Sequence, residues 1–312
     1  MGGMYSVYGT VVAFLRSLPP RARGSMFAIV VFAFAALWGE GVVLRYRISG
    51  IPVAETPYNR VDIKNCLHPP MTRIRVADGS DAGGGKTRIA ILGTDNLGRD
   101  VLSRLVQGAR IAFHVGIITS LIAIPFGTIL GLLAGYHGGR IDAFCTWLSA
   151  TIAAIPSLLL ILAIALVVGK GLMGVFIGIS VTTWVGLYRT VRAEVIKHRG
   201  LGYAQSANAL GYSDLRVMFR HILPNISHII IVAFSLRFPA SVGTEVFISF
   251  LGIGAQDEPS WGRMISNART MLWNGVWWEF AAVTIALFAL VLAFNRLGDA
   301  LRDHLDPTMR RG

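Results

Sequence analysis

Six runs of mostly apolar residues constrain this chain more than any single motif. They lie at about 26–44, 111–136, 143–168, 172–188, 226–250 and 276–297. Crossing a bilayer takes about 20 apolar residues, and a helix is the form that satisfies every backbone N–H and C=O where water is absent. The expected fold is therefore an all-α membrane protein with six transmembrane helices. The sequence is 54% hydrophobic and only 15% charged, which excludes an ordinary soluble protein. Net charge is +12 without any long Lys/Arg run. In a membrane protein such an excess sets topology and attracts anionic lipid, and it does not indicate nucleic-acid binding.

The spans divide the chain. Residues 1–25 form a lead, 26–44 the first span, and 45–110 a large loop ending in an interfacial helix over 94–110. Residues 111–297 form a five-helix core that includes a loop at 189–225, and 298–312 form a tail. Pro156 is expected to kink the third span. Gly127, Gly131 and Gly135 recur every four residues in the second, a spacing that suits close helix contact. No cleavable signal peptide is expected, because the first apolar run continues beyond a short hydrophobic region without an Ala-x-Ala site. Cys66 falls in a loop and Cys145 in a span, so neither a metal pattern nor a disulfide is expected. Ser80-Asp-Ala-Gly-Gly-Gly-Lys-Thr87 imitates a phosphate-binding loop, but Ser80 replaces the first glycine and Thr87-Arg88-Ile89 opens no convincing helix, so a loop is expected.

The loop at 189–225 holds an amphipathic stretch. Tyr203, Ala207 and Leu210 share one helical face, Gly211 ends the helix, and Ser213 can cap a second one with Asp214 in its first turn. On that second helix Leu215, Met218, Phe219 and Ile222 form a stripe, Arg216 and Arg220 project elsewhere, and Pro224 is expected to stop it. Two readings fit these residues: a docking element for another protein, or a helix lying on lipid.

The order Tyr203, Ala207, Ala209, Leu210, Gly211, then Arg220-His221-Ile222-Leu223-Pro224-Asn225, resembles the coupling-loop signature of ABC importer permeases. Three further stretches resemble the dipeptide/oligopeptide/nickel branch, in particular its second permease. They are Leu92–Arg104, which carries Asp95, Gly98, Arg99 and Asp100; Phe250–Gln256 with Trp261-Gly262; and Leu297–Pro307. Asn208 stands where that family often has Arg, and Asp257-Glu258 where it often has prolines.

The resemblance implies a type I importer permease fold with a cytoplasmic coupling helix and an extracytoplasmic loop after the first span. It also implies a second homologous permease, two ATPase subunits and an extracytoplasmic binding protein as partners, with membrane lipid around them. The chain itself would bind no cofactor; ATP and Mg would sit on the ATPases. Tyr203, Ala207, Ala209, Leu210, Gly211, Arg216, Arg220, His221 and Pro224 would carry coupling. The expected place is a bacterial inner membrane. The implied cargo is a dipeptide or oligopeptide, with nickel or an antimicrobial peptide as alternatives. A stand-alone secondary transporter is the rival of a different class, and a membrane-embedded enzyme lacks the necessary set of polar residues in its spans.

Charges inside spans are costly and normally face protein or water. Arg237 lies mid-span, so Ser180, Thr183, Trp184, Arg237, Ser241 and Thr244 are candidates for a solute path. Arg237 fits a structural pairing as well. Glu245, eight residues further, is read as structural, together with Asp95, Gly98, Arg99 and Asp100. With the termini inside, 13 Lys/Arg fall inside and 14 outside; setting aside the 66-residue loop 45–110 leaves 13 to 3, which favours cytoplasmic termini and a cytoplasmic coupling loop.

Overall fold

A computed structural model describes residues 20–76, 86–255 and 258–305. Helix α1 spans Pro20–Ile48, α2 Val101–His137, α3 Gly139–Ala153, α4 Ser157–Val168 and α5 Leu172–Arg199. After them come α6 (Gly202–Ala209), a second short helical segment α7 over residues 214–225, α8 (Ser227–Phe250), α9 (Trp261–Met271) and α10 (Trp278–Leu305). Among the described residues five helices are long and apolar enough to cross a membrane; α3 and α4, bent by 87° at their junction, make a sixth span if counted together.

Three expectations change. The interfacial helix over 94–110 is not a separate element. Asp100 accepts a hydrogen bond from the Ser103 N–H at 2.9 Å and caps a single helix of 37 residues, while 94–100 turn in front of it. Arg104 and Arg110 are consequently buried and not interfacial. Pro156 does not kink one span but separates two helices: it cannot donate a backbone hydrogen bond, and it stands at the N-cap of α4. The loop after α1 also contains an antiparallel hairpin of β1 (Thr72–Val76) and β2 (Lys86–Ala90), with Thr72 opposite Ala90. The polar alternation Thr-Arg-Ile-Arg-Val suits a two-sided ribbon outside the bilayer. Of the phosphate-loop look-alike, Ser80–Gly85 lie outside the described residues; Lys86 and Thr87 open a strand, where a phosphate-binding loop needs a helix. Most of the lead and the end of the tail also lie outside them, and α10 carries the helix into the expected tail as far as Leu305.

The core follows from two contacts. The glycine face of α2 lies against α5: a methyl group on Gly127 would stand 2.8 Å from the Trp184 carbonyl oxygen, on Gly131 2.8 Å from Val191, and on Gly135 2.8 Å from the Arg192 carbonyl oxygen. The space a methyl would need is already taken by α5, and such close helix contact is what small residues permit in a bilayer. Gly131→Ala should therefore cost about 1–3 kcal/mol by overpacking, seen as a lower thermal unfolding midpoint of the purified protein. Gly41→Ala, whose new methyl meets nothing within 4 Å, should leave the midpoint unchanged. The second contact gathers α2, α8 and α10 around Phe238, which stacks on Phe294 with ring centroids 4.0 Å apart and meets Phe113 edge-on. Trp261 of α9 packs in the same cluster and donates to the Leu105 carbonyl at 3.0 Å.

Candidate functional site

Two features stand at the same end of the helix bundle: the segment α6–α7 and a cavity between α4, α5, α8 and α10. In α6, Ala204 and Ala207 are buried against Val217, Met218, Ile222 and Leu132. Small side chains let α6 lie close to this apolar floor. The chain then reverses in a hydrogen-bonded cap. The Gly211 N–H donates to the Asn208 carbonyl at 2.9 Å and the Tyr212 N–H to the Ala207 carbonyl at 3.2 Å. Gly211 has φ +79°, the left-handed conformation this cap requires.

Ser213 stands at the N-cap position of α7, but its side chain makes no capping bond. Residues Val217–Ile222 form a π-helical turn, and the Leu223 N–H reaches back to the Met218 carbonyl. This wider turn redistributes the expected stripe. Met218 and Ile222 are buried with Val217, while Leu215 and Phe219 face out. A stripe spaced for 3.6 residues per turn cannot survive a turn that closes i to i+5. It also admits Pro224, which does not end the segment but sits inside its last turn; the Asn225 side chain donates to the His221 carbonyl at 2.6 Å.

The outward face of the segment is apolar. Tyr203, Leu210, Tyr212, Leu215 and Phe219 are all exposed, and Leu210 is 74% so. Ala207, grouped with Tyr203 and Leu210 by spacing, points inward, while Ala209 is exposed. Arg216 lies over the Tyr212 ring at 5.3 Å, and Tyr212 stacks on His221 with centroids 5.5 Å apart. Arg220 and Pro224 are exposed. Partial loss of hydration raises the Tyr203 phenol above its ordinary pKa, and its hydroxyl lies 2.7 Å from His198 Nδ1 at the end of α5.

A polar clamp that the sequence reading missed holds this segment to α2. The Tyr136 hydroxyl lies 3.0 Å from Asn208 Oδ1 and 3.1 Å from Asp214 Oδ1. Arg199 donates to the Tyr136 carbonyl at 3.0 Å, and His137 Nε2 stands 3.7 Å from Asp214 Oδ2. The unusual Asn208 is thus an acceptor within the clamp. Arg192 of α5 forms a two-pronged pair with Asp142 of α3, at 2.5 and 2.6 Å. The sequence signal was available: Tyr136-His137 ends α2 and Asp214 opens α7, but only the fold brings them together.

The cavity has a volume of about 760 Å³. Thr183, Arg237, Ser241 and Thr244 line it, as do Glu194, His228 and Arg302. Arg237 donates to the Thr183 carbonyl, tying α8 to α5 across the cavity wall. Ser180 and Trp184 do not line it. Trp184 is buried edge-on against Phe126 and Tyr188, and Ser180 is buried with its hydroxyl unpartnered among the described residues. Spacing placed them beside Thr183, but a helix turns them to the packed side. Glu194, His228 and Arg302 were missed because they sit at helix ends, where charge is common.

Glu245 lies away from the cavity. It is 1% exposed and accepts from the Ser249 hydroxyl at 2.6 Å; that hydroxyl in turn accepts from the Ala255 N–H at 3.2 Å, closing the turn after α8. At the far end of α2, Asp95 accepts from Arg99 Nε at 2.7 Å and from the Leu97 and Arg99 N–H groups, each at 2.9 Å. Gly98, at φ +74°, closes this turn, and Arg88 pairs with Asp100 at 2.9 Å to hold the hairpin to the start of α2.

The model of the family described as binding-protein-dependent transport system inner membrane component matches residues 127–311. The dipeptide transport system permease protein DppC of Bacillus subtilis is 38% identical over 220 residues, covering 70% of this chain and 69% of that protein. The glutathione transport system permease protein GsiD of Pectobacterium atrosepticum is 39% identical over 222 residues, covering 70% and 73%. The oligopeptide transport system permease protein OppC of Bacillus subtilis is 35% identical, covering 70% and 72%. A crystal structure of an amino acid ABC transporter with histidines shares the fold at a TM-score of 0.50 and 15% identity, over 68% of this chain and 95% of that one.

Proposed function

The chain belongs to the family of binding-protein-dependent transport system inner membrane components, and from that premise we propose that it is the membrane-spanning permease of an ATP-driven importer of dipeptides or oligopeptides. It pairs with a second, homologous permease, takes loaded binding protein on its outer side, and seats one of two ATPase subunits on its inner side. ATP and Mg stay on those ATPases. The assembly lies in a bacterial inner membrane, with both termini and the coupling loop cytoplasmic. The names of the similar permeases, for dipeptides, oligopeptides and glutathione, favour a peptide over nickel as cargo.

The observation that carries the reading is the exposed apolar face of α6–α7, braced on α2 and α5 beside the cavity. An apolar face rimmed by Arg216 and Arg220 suits a protein groove. Pushed from below, α6 carries its force through Ala204 and Ala207 into α5, and through the Tyr136 clamp into α2. Because α5 forms the Thr183 wall of the cavity, its tilt changes access to Arg237, Ser241 and Thr244. Family membership weighs against a solitary secondary transporter, which would need no such face.

The test is co-purification from native membranes followed by reconstitution. The tagged chain should bring a second permease and ATPases, and vesicles holding the assembly should take up peptide only with ATP and loaded binding protein. Uptake by the chain alone on an ion gradient would sink the proposal.

A further inference from the structure

At the end of α2 remote from the coupling segment lies a second, smaller pocket of about 290 Å³. Arg99, Arg104, Arg263, Asn59 and Glu258 contribute to its wall. The 37 residues of α2 separate the two ends by about 55 Å, so this pocket opens on the opposite side of the membrane from α6–α7.

The arginines are short of acceptors. Arg99 is 8% exposed and Arg104 1%. Both depend on the same carboxylate: Arg99 Nε is 2.7 Å from Asp95 Oδ2, and Arg104 Nε is 3.6 Å from it, too far for a hydrogen bond. Among the described residues Arg104 Nη1 has only long contacts, 3.4 Å to the Tyr58 carbonyl and 3.3 Å to Asn59 Oδ1. Arg99 Nη2 and Arg104 Nε have no hydrogen-bond partner among the described residues. The other nearby acids do not supply one. Glu258 pairs with Arg110, and Glu279, buried close enough to act on both arginines by charge, makes no hydrogen bond to either among the described residues.

A buried guanidinium with open N–H groups is a strong donor to a planar anion, because its fork matches the two oxygens of a carboxylate. The pocket lies at the lower edge of small-ligand volumes, which suits one acidic group and not a whole peptide. We propose that the Arg99–Arg104 pocket is a carboxylate-binding site on the outer face of the permease. The carboxylate can come from a free solute or from an acidic side chain of a docked protein; the chemistry is shared, and the experiment separates the sources.

The probe is acetate. The assembled transporter in nanodiscs is heated in rising sodium acetate, with sodium chloride holding ionic strength constant. The expected result is a saturable rise in the unfolding midpoint. Asn59→Asp, which tethers a competing carboxylate beside Arg104 without removing a cation, should raise the half-saturating acetate concentration roughly tenfold, the worth of one charge-assisted hydrogen bond. Arg99→Lys, which keeps the charge but loses the fork, should raise it as well. No acetate effect beyond matched chloride overturns the proposal, and so does an effect that both variants leave unchanged. This readout does not depend on transport, so its failure is distinct from failure of the importer reading. Given that reading, saturating acetate that raises the KM for loaded binding protein assigns the carboxylate to a side chain of that protein. An unchanged KM assigns it to a free solute.

Discussion

Gly211→Pro should abolish ATP-linked peptide uptake while the protein still inserts in the membrane. The loss has two sources. Proline fixes φ near −65°, whereas Gly211 holds φ +79°. Proline also removes the N–H that donates to the Asn208 carbonyl. Forcing a proline into an incompatible helix-end conformation costs about 3 kcal/mol or more, so the docking-ready arrangement of α6 and α7 falls in population by roughly a hundredfold. Insertion should survive because a Cβ at Gly211 would meet nothing within 4 Å, so the change stays local to the cap.

A graded series separates conformation from bulk. Gly211→Ala pays only the left-handed backbone cost, about 1 kcal/mol, and should cut uptake roughly fivefold. Gly211→Asn, whose side chain tolerates that conformation, should retain most activity. The measurement is uptake and ATP hydrolysis in the same vesicles. Loss of uptake in the order Pro, Ala, Asn supports the cap as the element that sets docking geometry. Normal uptake by Gly211→Pro would remove α6–α7 from the coupling role.

The long helices were legible because an uninterrupted apolar run of about 20 residues satisfies its own backbone in a bilayer as a helix, and the short helix pair was legible because Gly211 punctuates two amphipathic halves. Their ends were less so. Arg104 and Arg110 read as interfacial because isolated arginines avoid burial; Asp95, in the turn just before the helix, and Glu258, far along the chain, are what permit it. The π turn was invisible because periodicity reasoning assumes 3.6 residues per turn, and nothing in Val217–Ile222 announces a wider one. Arg237 was found as a lone mid-span charge, but the other walls of its cavity come from three further helices, α4, α5 and α10. Glu194 and Arg302 could not be joined to it by spacing alone.

The buried Asp95 cluster gives the second large effect. Asp95→Asn keeps an oxygen able to accept from the Leu97 and Arg99 N–H groups, so the local turn is preserved. What it loses is the charge facing Arg99 and Arg104, both almost fully buried. Removing one member of a buried ion pair strands the other and costs about 3–5 kcal/mol. The variant should unfold well below the parent in thermal melts and accumulate poorly in the membrane. Asp95→Ala, which also abandons the turn, should be worse. The decisive comparison is Asp95→Asn with Arg99→Leu. If stranded charge is the cause, removing one of the two cations should recover part of the lost stability. If the cause is the broken turn, the double variant should melt no higher than Asp95→Asn alone, and the charge account of this end of α2 would be wrong.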